Sequence, residues 1–242
     1  MTERQRTISD NYKRVLENIE KARQRRAERY GPDSVREVKL LAATKTVPLE
    51  DVLFLVNEFG LSLCGENRQN EFTEKHEAVQ AAGAEMHFIG HLQTNKVKYI
   101  VGKTELIHSV DSLRLAEEIS KKSLSLGTKT NILVEVNVGE EEAKTGLFLR
   151  DAAALTEEIQ ALEGLNLCGM MAMIPICDEE AKKRWYFKKS YDFFLDIFGK
   201  KLHNIREYTL SMGMSDSYET AIEEGATLVR VGSAIFGKRI YL

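Results

Sequence analysis

Short apolar, β-rich runs alternate with longer stretches of helical spacing along most of this chain, and that alternation constrains its fold more than any other feature. Eight such runs are read: Val38–Thr44, Leu61–Gly65, Met86–Gly90, Glu105–Val110, Asn131–Val138, Leu165–Ala172, Tyr208–Met212 and Leu228–Val231. Amphipathic stretches lie between them, among them Leu49–Phe59, Ser112–Leu126, Asp151–Leu162 and Glu179–Phe198. Continuously apolar strands joined by crossover helices are parallel and covered on both faces. Eight units are the number that closes an α/β barrel of the (β/α)8 TIM type. An open doubly wound sheet uses the same local units and stands as the alternative. The barrel is expected over residues 38–239, the whole of 1–242 forming a single domain. An additional N-terminal amphipathic helix is expected within residues 1–31, because Ile8, Tyr12, Val15, Leu16 and Ile19 recur at helical spacing until Gly31-Pro32 stops the run. Its basic cluster, Arg23, Arg25, Arg26 and Arg29, reads as a solvated face, with an acidic partner as the alternative.

A barrel of this size needs a large core, and 43% hydrophobic with 29% charged residues allows one. The net charge of −3 gives no basic surplus for nucleic acid. Cys64, Cys168 and Cys177 show neither paired nor metal-ligand spacing, so no disulfide framework and no metal site are expected, and a reducing compartment fits. The charged N-terminus lacks the apolar stretch of a signal peptide, and no run reaches the roughly 18 apolar residues of a membrane span. A cytoplasmic protein without a membrane partner is expected.

Barrel chemistry sits at the C-terminal ends of the strands. The first run reads KLLAATKT and delivers Lys45 to that edge. Alone, such a lysine is read as exposed to water; its company changes the reading. The second, third and fifth runs open into GENRQNE, HFIGHLQTNK and NVGEEEAKTG. Asn67 and Asn70 can face a ligand or cap a helix. His91 can hydrogen-bond a ligand, while His76, His87, His108 and His203 share no spacing and are assigned nothing. The seventh and eighth runs open into SMGMSDSYETAI and RVGSAIFG, two strand–turn–helix units whose backbone N–H groups and hydroxyls suit an anion, although Ser215 and Ser233 also read as ordinary helix caps. Closure brings the eighth strand beside the first, so the lysine and the anion loops are neighbours. A lysine beside a phosphate site suits a phosphorylated aldehyde, with which a partly neutral amine condenses.

The segments ATKTVP, GENRQNE, HFIGHLQTNK, NVGEEEAKTG, GMMAMIP, SMGMSDSYETAI and VRVGSAIFG together closely resemble the pyridoxal phosphate homeostasis protein family, in family order from about Lys39 to Lys238. The resemblance implies a barrel of the alanine racemase N-terminal type, without that enzyme's second domain, that carries pyridoxal 5'-phosphate as an imine on Lys45. It also implies that the phosphate lies against Ser211, Gly232 and Ser233. The cofactor-binding residues expected are therefore Lys45, Asn67, His91, Ser211, Met212, Gly213, Arg230, Gly232 and Ser233. Arg68 and Asn70 depart from the forms associated with the family, and Ser233 stands where threonine is common.

The implied role is to hold, buffer and supply the cofactor within the cell, without an established reaction. Apoenzymes that use pyridoxal phosphate are candidate partners, and a monomer is expected because the racemase's second domain is missing. An electron-withdrawing ring is strengthened by a carboxylate at its pyridine nitrogen and weakened by a cation. Arg230 is read as facing that nitrogen, with pairing to a neighbouring carboxylate as the alternative. Racemisation also needs a second acid/base; Tyr218 and Tyr241 are available by type, but neither is well placed. A weakly active racemase or lyase, a cofactor-free Schiff-base aldolase and a pure interaction protein are the competing readings.

Overall fold

The computed structural model describes residues 1–139, 146–199 and 208–237. His203, Tyr241, most of the EEEAKTG stretch and the expected barrel end at residue 239 lie outside these residues. The strands are β1 (Lys39–Ala43), β2 (Leu63–Glu66), β3 (Glu85–Phe88), β4 (Leu106–Val110), β5 (Thr130–Asn137), β6 (Leu147–Phe148), β7 (Leu165–Met173), β8 (Thr209–Ser211) and β9 (Leu228–Val231). All pairings among them are parallel, in the order β4-β3-β2-β1-β9-β8-β7-β5, and β4 pairs back onto β5. That last pairing closes an eight-stranded barrel and removes the open-sheet alternative. Each of the eight apolar runs became one of its strands. The two-residue β6 is an extra, pairing with Val136 and Asn137 at the far end of β5.

The helices are α1 (Glu3–Tyr30), α2 (Leu49–Phe59), α3 (Gln69–Ala81), α4 (Val97–Ile100), α5 (Leu113–Ser125), α6 (Leu149–Gln160), α7 (Glu180–Phe194), α8 (Tyr218–Glu223) and α9 (Ser233–Phe236). Helix α2 ends where its apolar periodicity ends, because Gly60 takes the left-handed conformation (φ 67°) that lets its N–H and that of Leu61 turn back onto Val56 and Leu55. Helix α3 escapes a periodicity search because its buried face mixes Phe72 and Val79 with Lys75 and His76. The four- and six-residue helices α4, α8 and α9 are too short to show a period.

Helix α1 starts five residues before Ile8, at Glu3. There Thr2 and Gln5 form a reciprocal capping box that satisfies the first free N–H groups. Its apolar stripe, Ile8, Tyr12, Val15, Ile19 and Ala22, is buried, and full burial of each large aliphatic side chain stabilises by about 1.5–3 kcal/mol. The basic cluster is a partly solvated face that also pairs with acidic residues, Arg25 and Arg29 remaining exposed. Arg25 pairs with Glu219 and Glu223 of α8 at 2.8 and 2.5 Å, and Arg29 with Glu224 at 3.1 Å. Arg26 is buried, donating to the carbonyls of Ser34 and Glu223. Arg184 of α7 joins from the other side, 2.6 Å from both Glu223 and Glu224. The acidic partner of this helix is therefore the barrel's own α8.

The main core fills the space between strands and helices. Two smaller clusters lie apart from it: Leu41, Leu63 and Leu228, with Ile89 against them, and Leu106, Leu133 and Met171, with Cys168 and Met173. These alternate along the strands with the main-core residues and fill the barrel itself. Among the described residues, no helix is long and apolar enough to cross a membrane. The three cysteines are free, and burial pushes the Cys64 thiol up to about 12.

Candidate functional site

Strand β1 ends at Ala43, and the three residues after it form a tightly held turn. Thr44 is buried, and its hydroxyl donates to Glu66 at the end of β2 at 2.7 Å. Its carbonyl accepts from the buried ammonium of Lys75 at 2.9 Å, and Lys75 also pairs with Glu66 at 2.8 Å. On the far side of Lys45, the Thr46 N–H donates to Glu71 at 2.6 Å. Thr46 has φ 62°, a left-handed conformation that β-branched residues rarely adopt and that persists only where the surroundings hold it. Lys45 thus sits between two residues tied by side chains of β2 and α3. Burial raises the Glu66 carboxyl above its ordinary range, against the pull of Lys75 and Thr44.

The lysine is half-buried and lines a cavity of 620 Å³ at the C-terminal mouth of the barrel, together with Asn67, Met173, Ser215, Arg230, Gly232 and Ser233. Closure explains this company. In the β1–β9 register Ala42 stands opposite Val231, so the residues after β1 emerge beside Gly232 and Ser233. A methyl group at Gly232 would stand 3.1 Å from the Ala43 carbonyl, so only the smallest residue fits easily against β1. The Ser215 hydroxyl accepts from the N–H groups of Gly232 and Ala234 at 3.1 and 3.2 Å. Two backbone donors and a hydroxyl therefore converge on one edge of the mouth.

Arg230 projects from β9 into the same cavity and is only 6% exposed. Its guanidinium donates to the Ser211 hydroxyl at 2.7 Å and to the Met173 sulfur at 3.3 Å. Burial draws its pKa down to about 10, with Glu135 opposing, so it stays cationic at neutral pH.

Of the nine expected cofactor-binding residues, five share this cavity: Lys45, Asn67, Arg230, Gly232 and Ser233. Asn67 caps no helix; Arg68 holds the position before α3 without a side-chain cap, and the Asn67 Oδ1 is buried without a partner. Ser211 is fully buried beneath the mouth and bonded to Arg230, and the serine beside the Gly232 loop is Ser215. Both serines belong to SMGMS, but β8 ends at Ser211, so only the later one reaches the loop. Met212 lies in the main core, facing away from the barrel axis. Gly213 answers a packing need: its φ is 89°, and an added methyl would come within 2.5 Å of Ala221. His91 is exposed, 3.4 Å from Asp111, and lines an adjoining cavity of 310 Å³ that shares Asn67 with the main one. Tyr218 is on α8, outside the barrel, where Asn18 donates to its hydroxyl.

Comparison with known proteins agrees with this geometry. The model of the alanine racemase N-terminal domain matches residues 11–239. The pyridoxal phosphate homeostasis protein of Aquifex aeolicus is 43% identical over 231 residues, 94% of this chain and 96% of its own. A crystal structure of a protein from Bifidobacterium adolescentis superposes with a TM-score of 0.82 at 34% identity, covering 97% of each chain. The structure of PipY from Synechococcus elongatus with pyridoxal phosphate bound gives a TM-score of 0.74 at 28% identity, covering 89% of this chain and all of the other.

Proposed function

This chain belongs to the pyridoxal phosphate homeostasis family, built on the alanine racemase N-terminal domain, and from that premise we propose that it binds pyridoxal phosphate covalently at Lys45, to store and supply it. The observation that carries this is the convergence of Lys45, the Gly232–Ser233 loop and Arg230 on one cavity.

The residues present fit the group. Its phosphate would be held by the Gly232–Ser233 loop and the hydroxyls of Ser215 and Ser233, with the N–H groups of Gly232 and Ala234, which donate to the Ser215 hydroxyl, lending their dipoles to the same edge. The amine of Lys45 takes the aldehyde as an imine. The turn held by Glu66, Lys75 and Glu71 keeps that amine at the mouth. Arg230 would meet the pyridine nitrogen; a guanidinium is a donor only and stays charged, so it cannot accept a proton from that nitrogen.

Pyridoxal phosphate supplies an aldehyde that condenses with amines and a ring that withdraws electrons best when a carboxylate keeps its nitrogen protonated. An arginine in that position favours storage over turnover. The position of Tyr218 supports the same conclusion, since an acid/base must come within hydrogen-bond reach of the proton it moves. The function is therefore that of a carrier, active without a catalytic cycle, with apoenzymes that need the cofactor as recipients. Borohydride reduction of the loaded protein followed by peptide mass spectrometry tests this. The adduct is expected on Lys45; an adduct spread over surface lysines, or none, overturns the proposal.

A further inference from the structure

Four polar side chains cross the inside of the barrel in a single file, and the mouth uses only the last of them. His87 of β3 and His108 of β4 are buried, with Nδ1 of the first 2.9 Å from Nε2 of the second. His108 Nδ1 lies 3.1 Å from the Ser211 hydroxyl on β8, which in turn accepts from Arg230 on β9. Below, His87 Nε2 approaches the exposed carboxylate of Glu85 to 3.6 Å, outside hydrogen-bond distance but within reach of its charge. Strands β3, β4, β8 and β9 each contribute one member, and the file runs from solvent at the barrel floor to the cavity at its mouth.

Arg230 fixes the direction at its own end of the file: a guanidinium has donors and no acceptor, so the Ser211 hydroxyl accepts from it. That hydroxyl keeps its own proton for a neutral His108, and a His108 that takes it on Nδ1 carries its proton on Nε2 and donates to His87 Nδ1. Complete burial drives His108 well below the ordinary histidine range, as do the neighbouring His87 and the charge of Arg230, so the neutral ring is the stable one.

We infer that His108, acting through Ser211, is a positioning residue that fixes the guanidinium of Arg230 at the mouth, with His87 holding His108 in the required tautomer. Ser211 and Met173 are the hydrogen-bond acceptors of the guanidinium among the described residues, with buried Glu135 acting on it through its charge, and the file through Ser211 sets its orientation. The inference rests on the cofactor reading above, in which Arg230 meets the ring nitrogen.

A double-mutant cycle on the full chain tests it, using His108→Leu, Arg230→Met and the pair, with cofactor dissociation constant and the position and pH midpoint of the visible band as readouts. Coupled residues give non-additive effects. His108→Leu is expected to weaken binding about fivefold to tenfold, in line with losing one hydrogen bond between neutral groups, and to move the band toward that of Arg230→Met. In the Arg230→Met background it is expected to change neither. His108→Gln, which keeps one donor and one acceptor, is expected to recover most of the wild-type band. If His108→Leu does not fold, Ser211→Ala replaces it in the same cycle. Additive effects, or a wild-type band and affinity in the single variant, overturn the inference. A wild-type protein that forms no visible band overturns the cofactor reading instead.

Discussion

The arginines of the α1 seam and the arginine of the barrel mouth are held in opposite ways. Arg25, Arg29 and Arg184 meet carboxylates: Glu219, Glu223 and Glu224 accept from them at 2.5–3.1 Å, and Tyr30 adds a bond to Glu224. Arg230, more deeply buried than any of these three, is held by a hydroxyl and a thioether. The seam consumes its charges internally and joins a helix to a barrel. The mouth keeps a cation whose bonds orient it while leaving its charge for a ligand. A buried cation whose hydrogen-bond partners are neutral, with a carboxylate, Glu135, reaching it only through its charge, is costly, and such arrangements mark functional sites.

The sharpest way to break this contrast is to remove one carboxylate from the seam. Glu224→Ala removes the buried acceptor shared by Arg29, Arg184 and Tyr30, and a loss of about 2 kcal/mol in denaturant unfolding is expected, since several hydrogen bonds to a charged group go while the partners, which reach water, are not stranded. Cofactor affinity should stay at the wild-type value. Arg230→Met should do the reverse: stability within about 1 kcal/mol of wild type, because a desolvated charge goes with its bonds, but cofactor binding weakened about tenfold to hundredfold, as for loss of a charge-assisted hydrogen bond. Equilibrium binding followed by absorbance measures the second effect. If Arg230→Met instead unfolds the protein and spares binding, the two regions do not differ as described.

Ser215→Ala separates the two serines of SMGMS. A loss of affinity for pyridoxal phosphate of about tenfold or more is expected, about 1.5 kcal/mol at the low end for one hydrogen bond to a charged group, with a smaller loss for the cofactor lacking its phosphate. Equal losses for both would remove Ser215 from the phosphate cradle.

The seam also predicts a pH response. Burial alone would raise the Glu223 carboxyl, but Arg184 and Arg25 outweigh it and hold the group below its ordinary range. The folded chain then binds the proton less readily than the unfolded chain. Its stabilising contribution is fully present above the unfolded glutamate value near 4.3 and is lost as pH falls through the lower folded value. Unfolding curves from pH 6 downward should show this loss, and Glu223→Gln should flatten it.

How much of this was legible in the sequence depended on whether the signal was periodic. The eight strands follow their apolar runs within about two residues, because strands covered on both faces must be apolar throughout. Lys45, Arg230 and the Gly232–Ser233 step were legible because a barrel aims its strand ends at one mouth. The choice between Ser211 and Ser215 was not, since it depends on where β8 stops, and a three-residue strand carries no sharp boundary signal. The Glu66–Lys75–Glu71 clamp and the His87–His108 pair join residues of different elements, 9 and 21 positions apart in the first and last links, and only the folded register brings them into contact. The pairing of the basic helix was out of reach for a related reason: the acidic partners of Arg25 and Arg29 lie 194 and 195 residues away in the sequence.

The central claim is that Lys45 holds the cofactor. The most direct test incubates the purified chain and Lys45→Ala with pyridoxal phosphate, removes free cofactor by gel filtration and records both absorption spectra. A visible imine band in the wild type that is lost in Lys45→Ala, with both proteins equally folded by circular dichroism, is the expected result. Bands of equal strength in the two, or none in either, would contradict the account.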